Sequence, residues 1–116
     1  MSKVIAIDFD ETITDNTPYP VCGKIRPEAK KYIKNLFDNG YTLVLWTCRS
    51  GDYLTEALNI LKQNDLYKYF TCINNDTILR IQPSRKIVAD FYIDDKSCLG
   101  ELNWDEIYNY IVKNIK

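Results

Sequence analysis

The stretch IAIDFDETIT, residues 5–14, continues an apolar run that begins at Val4 straight into two carboxylates, Asp8 and Asp10, one residue apart. Two comparable groups recur downstream. Thr47 and Arg49 follow YTLVLW, and Asp94 and Asp95 follow VADFYI. Taken singly, each is ordinary turn or capping chemistry; the repetition of the arrangement is what calls for a use. The chain has no histidine, which removes Ser–His and Cys–His nucleophile pairs and every imidazole acid or base. Its four cysteines, at 22, 48, 72 and 98, form no C-x-x-C pair, so they read as reduced, mostly buried thiols rather than a zinc site. Chemistry is left to carboxylates, lysines and a metal. Gathered carboxylates raise one another's pKa unless a cation balances them, and Mg²⁺ is the natural hard cation for carboxylate oxygens.

The surrounding pattern supplies elements to position these groups. Residues 4–7, 41–46, 69–73 and 88–93 are short apolar runs that suit strands buried on both faces. Pro27 opens a helix whose Tyr32, Ile33, Leu36 and Phe37 share a face, and Gly40 is placed to end it. Residues 52–63 carry Leu54, Ala57, Leu58 and Leu61 at helical spacing. Asn103 with Glu106 resembles a capping box ahead of Trp104, Ile107, Tyr108, Ile111 and Ile115. Residues 14–26 read as a loop or small hairpin, and 74–87 give no clear pattern. Strands alternating with helices predict an α/β fold, three-layered and Rossmann-like, with about four parallel strands. Ligands of such sheets bind beyond the carboxyl ends of the strands, which is where Asp8, Asp10, Thr47, Arg49, Asp94 and Asp95 fall.

With 116 residues, 46% of them hydrophobic, the chain suits one domain spanning 1–116 with a real core. Fifteen basic against 16 acidic residues leave no global field to recruit nucleic acid or a membrane. No signal-peptide pattern and no apolar run of about 18 residues is present, so the expected location is cytoplasmic, without a membrane partner.

The motifs resemble those of the haloacid dehalogenase superfamily: DFDETIT its D-x-D-x-T, LVLWTCR the apolar strand ending in Ser or Thr, and YIDDK its acidic fourth motif. The resemblance covers residues 4–96 and implies a phosphatase or phosphomutase, because dehalogenases lack the second aspartate and transport ATPases carry threonine there. By this resemblance Asp8 is the nucleophile that forms an aspartyl-phosphate, and Asp10 the acid and base. Mg²⁺ is held by Asp8, the Asp10 carbonyl and Asp94, with Asp95 as an alternative ligand. Thr47 contacts the phosphoryl group. The lysine of the third motif corresponds to Lys86, eight residues before Asp94, which a fully extended chain would hold about 26 Å away. It serves only if the chain folds back; Arg49 and Lys96 offer positive charge nearer by. Glu11 departs from the family's usual glycine, which predicts a differently shaped loop.

Relatives often carry a cap domain, but the two insertion windows, 13–26 and about 74–85, fall well below the roughly 40 residues a domain needs. A capless site implies either a large substrate that is its own lid or a homo-oligomer whose neighbouring subunit covers the mouth. The substrate is then a phosphorylated small molecule or a polynucleotide end. Tyr19, Lys24 and Arg26 are expected on the rim, with Arg80, Arg85, Lys86 and Lys96 as scattered positive charge. Two other readings compete: a degenerate phosphate-binding protein of the same fold, and a receiver-like phosphoacceptor module, in which the nucleophile would follow the third strand.

Overall fold

The computed structural model describes residues 2–75 and 86–116. The chain runs β1 (Val4–Ile7), α1 (Pro27–Asp38), β2 (Thr42–Leu45), α2 (Gly51–Gln63), β3 (Phe70–Ile73), β4 (Phe91–Ile93) and α3 (Trp104–Asn114), with 3₁₀ turns at Tyr67–Tyr69 and Asp95–Ser97. The strands form one parallel sheet in the order β3–β2–β1–β4. Ile5 sits opposite both Leu43 and Phe91.

The period of two along each strand divides the core into two faces. Ile5, Ile7, Leu43, Leu45 and Ile93 face a cluster built with Ile33 and Leu36 of α1, Ala57 and Leu61 of α2, and Trp104 and Ile111 of α3. Crossovers from β1 to β2 to β3 progress in one direction, and a constant right hand leaves α1 and α2 on the same face. β4 lies beyond β1, across the sheet from β3, and the described residues that lead into it lie on the opposite face. There Ile87 is buried against Ala6 and Val44, with Ala89, Trp46 and Tyr92 beside it. Among the described residues, therefore, helices form one layer and an irregular segment covers the other face. The centre of residues 74–87 lies outside the described residues. No inserted domain stands over the strand ends among the described residues, and no described helix is long and apolar enough to cross a membrane.

Local signals set the boundaries. Pro27 occupies the first turn of α1. Gly40, at φ 91°, closes the helix with N–H bonds from Gly40 to the Phe37 carbonyl and from Tyr41 to that of Leu36, the paired pattern of a left-handed helix cap. Phe37 is 45% exposed rather than buried, its ring against Tyr69. Asn103 accepts the Glu106 N–H at the start of α3. β4 is shorter than the apolar run 88–93 suggests. The Asp90 side chain accepts the Val4 N–H at 2.7 Å, taking the place of a ladder carbonyl, and regular pairing begins only at Phe91.

Candidate active site

The chain leaves β1 toward β2 on one side, while β4 lies on the other, so the crevice between the ends of β1 and β4 is the switch point of the sheet. Asp8 follows β1 there, and Asp94 and Asp95 follow β4. One carboxylate oxygen from each of the three lies within 4.8 Å of the other two. Burial, with the Asp94 charge next in size, pushes the Asp8 carboxyl from its ordinary value near 3.8 up to about 7. Three hard oxygen donors that destabilise one another's charge make a fitting seat for a metal ion.

The loop beyond β1 is wound tightly around this cluster. The N–H groups of Thr12, Ile13 and Thr14 converge on the Phe9 carbonyl at 3.0–3.3 Å, and the Phe9 ring is buried in the core. That anchoring leaves Asp8 and Asp10 lining one cleft of about 230 Å³ together with Tyr19, Asp94, Asp95 and Lys96. Thr12 is fully buried beneath it. Its hydroxyl accepts the Asp95 N–H at 3.0 Å and holds one proton within reach of both Asp8 Oδ2 (3.1 Å) and Asp95 Oδ1 (3.2 Å). The Thr12 carbonyl in turn accepts the indole N–H of buried Trp104 at 2.9 Å, which ties α3 to the site. Thr12 was not among the site residues expected from sequence. The signal was its position in D-x-D-x-T, four residues after Asp8, which reads equally well as a loop threonine until β4 is placed beside β1.

Asp10 stands outside the three-carboxylate cluster. Both its oxygens accept from Arg49, from Nε at 2.8 Å and Nη2 at 2.6 Å. The Arg49 side chain is wholly buried, and its remaining donors reach the carbonyls of Pro20 and Tyr53. Its guanidinium lies between the rings of Phe9 and Tyr19, 5.4 and 5.2 Å from their centroids. Arg49, expected at the phosphoryl group, is thus committed to Asp10. A bidentate guanidinium–carboxylate pair in a buried setting is geometrically rigid, so it fixes Asp10 in one orientation. The spacing could not foretell this, because the pair closes across 39 residues.

The other expected residues are placed as follows. Thr47 Oγ1 accepts the Arg49 N–H at 3.1 Å, so its own proton remains to be donated, and its N–H bonds Asn74 Oδ1 at the end of β3; it stands beside Cys48 of the cleft but does not itself line it. Lys86 is folded back, as a lysine in that role would require, but its ammonium lies 5.4 Å from the Tyr92 ring centroid and it does not line the cleft. The hydroxyl of Tyr92 bonds the Ile87 carbonyl, which shows how the turn is made. Lys96 does line the cleft, 3.8 Å from Asp95 Oδ2. Arg26 is spent internally on Thr14, Glu11 and Asn16. Arg80 and Arg85 lie outside the described residues. The cysteines are less buried than expected. Cys48 is exposed at the cleft, while Cys22, Cys72 and Cys98 are half-buried, and burial pushes the Cys22 thiol up to about 11.

Glu11 adopts φ 59°, the left-handed conformation that glycine takes most easily. Glutamate here occupies a glycine-like turn at a cost of about 1–2 kcal/mol. Its N–H bonds Thr14 Oγ1 at 3.0 Å and its carbonyl accepts from Arg26 at 3.2 Å, contacts that hold the strained residue in place.

No family model matches the chain, and no curated protein matches it. A solved structure of a conserved protein from Bacteroides thetaiotaomicron matches all of this chain and 93% of that one, with a TM-score of 0.82 and 34% sequence identity. The chain belongs to that protein's family. Membership in this family carries the α/β fold.

Proposed function

We propose that the protein is a Mg²⁺-dependent phosphomonoester hydrolase of the haloacid dehalogenase type. The reading rests above all on Asp8, Asp94 and Asp95 being gathered at the β1–β4 switch point while Asp10, two residues on, is held apart by Arg49. In this reading an Asp8 oxygen attacks phosphorus, the bond to the leaving oxygen breaks, and Asp10 supplies that oxygen with a proton. Asp10 then takes a proton from the water that attacks the aspartyl-phosphate, which releases phosphate and restores Asp8. Asp8, Asp94, Asp95 and the Asp10 carbonyl would hold Mg²⁺, whose charge lets an anionic carboxylate approach an anionic phosphate. Thr47 would give its hydroxyl proton to a phosphoryl oxygen, and Lys96, which lines the cleft, would add positive charge beside it. A second copy of the chain, or the substrate itself, would cover the open mouth.

Phosphate release from 4-nitrophenyl phosphate, with and without Mg²⁺, tests the reading. Turnover should require the metal and fall to background in Asp8→Asn. Undiminished turnover in that variant would exclude Asp8 as nucleophile. A second reading, phosphate binding without hydrolysis, draws on Lys86 lying over Tyr92 rather than at the cleft. It would be favoured by Mg²⁺-dependent vanadate binding with no turnover of any phosphomonoester.

A further inference from the structure

Tyr19 is half exposed yet firmly held. One face of its ring lies over the Arg49 guanidinium at 5.2 Å, and Tyr53 meets it edge-on with 5.8 Å between centroids. Arg49 in turn is pinned by Asp10 and by the carbonyls of Pro20 and Tyr53, with Phe9 beneath it. The ring is therefore a pre-set wall of the cleft rather than a loose loop side chain. Its position has a chemical meaning once Asp10 is the group that serves the leaving oxygen. Tyr19 and Asp10 contact the same guanidinium and line the same cleft, which sets the ring on the wall shared with Asp10. The charges point the same way. Five carboxylates line the cleft, those of Asp8, Asp10, Glu11, Asp94 and Asp95. Against them stand Lys96, the buried Arg49 and, when bound, one divalent cation, four positive charges in all among the described residues. With Asp10 carrying the proton its acid role requires, the cleft is balanced before a phosphoryl group enters and net negative once it is bound, so each further anionic group on the substrate is repelled.

We infer that Tyr19 sets the specificity of this site, selecting phosphate esters whose leaving group is uncharged and presents a flat or apolar face to the ring. This rests on the hydrolytic reading for the identity of the leaving side. It narrows the substrate to a small neutral aglycone, alcohol or nucleoside-like group and argues against a polynucleotide end, whose neighbouring phosphodiesters would bring more negative charge to the same rim.

Binding of two non-hydrolysable probes by calorimetry in Mg²⁺ tests this without requiring turnover. Phenylphosphonate offers a neutral flat group, and phosphonoacetate puts a carboxylate in its place. Phenylphosphonate should bind about tenfold more tightly, an advantage of the size expected for one aromatic stacking contact. Tyr19→Ala should narrow the difference by weakening phenylphosphonate alone and Tyr19→Phe should keep it, both with unchanged affinity for Mg²⁺ alone. A 3′-phosphorylated oligothymidylate should compete poorly with phenylphosphonate. Equal binding of the two probes, equal loss of both in Tyr19→Ala, or strong competition by the oligonucleotide overturns the inference. Tyr19-dependent binding without hydrolysis of phenyl phosphate would instead sink the catalytic reading and leave the specificity of the cleft standing.

Discussion

Replacing Asp8 by Asn should stabilise the metal-free protein at alkaline pH while abolishing its response to Mg²⁺. The folded chain holds the Asp8 carboxyl proton to about pH 7, whereas the unfolded chain releases it near 3.8. Folding therefore takes up a proton between those values. The contribution of Asp8 is most favourable below about pH 4 and is lost as pH rises to about 7. A shift of about three units corresponds to about 4 kcal/mol at most. Part of the group faces the open cleft, where water screens it. Carboxylate oxygens within 4.8 Å of one another repel by about 1–3 kcal/mol per pair at effective dielectric constants between those of water and a protein surface. About 2 kcal/mol is the working figure. For a chain of 116 residues that is roughly 6–10 °C in melting temperature. With chelator present, wild type should melt lower at pH 8.5 than at pH 5, and Asp8→Asn should exceed wild type at pH 8.5, with the gap narrowing as pH falls toward 4. Millimolar Mg²⁺ should reverse the order at pH 8.5, since a ligand at 100 times its Kd adds about 2.7 kcal/mol to the protein that binds it. Thermal melts in which metal-free wild type shows no pH slope, or is as stable as Asp8→Asn at pH 8.5, would refute the clustered-carboxylate account.

Three further perturbations probe the framework. Arg49→Met leaves the largely buried Asp10 carboxylate without its partner and should cost about 3–5 kcal/mol in urea denaturation, whereas Arg49→Met with Asp10→Asn should cost markedly less because no charge is stranded; equal losses would mean the pair is not coupled. Thr12→Val removes the acceptor of the Asp95 N–H and the hydroxyl shared by Asp8 and Asp95. It should destabilise by about 1–3 kcal/mol and weaken Mg²⁺ binding about tenfold or more, as read by calorimetry. Glu11→Gly relieves a left-handed glutamate at the expense of a more flexible unfolded chain, and should raise stability by up to about 1 kcal/mol; a loss of more than that would show that the Glu11 side chain has an unrecognised partner.

Much of this was legible because it depends on near neighbours in the chain. Four apolar runs, Pro27, Gly40 and Asn103 specify strands and caps through backbone chemistry that acts over a few residues, and β1, α1, α2 and α3 fall where those signals put them. Asp8 and Asp10 share a cleft, as their spacing suggested, although it is the turn wound on the Phe9 carbonyl rather than a continuing strand that places Asp10 there. What the sequence alone left open are the pairings that close over long loops. The strand order decided that Asp94 and Asp95 meet Asp8, and it made buried Thr12 the hydrogen-bonded link between β1 and β4. Arg49 looked like a phosphate contact by its place after β2, but a buried guanidinium must find a carboxylate, and the fold offered Asp10. Lys86 was turned onto Tyr92 by a bend that an extended-chain estimate could not contain. Residue type and short spacing thus determined which groups are available for chemistry, and tertiary packing decided which of them meet, because burial leaves each charge only the partners that the sheet brings within reach.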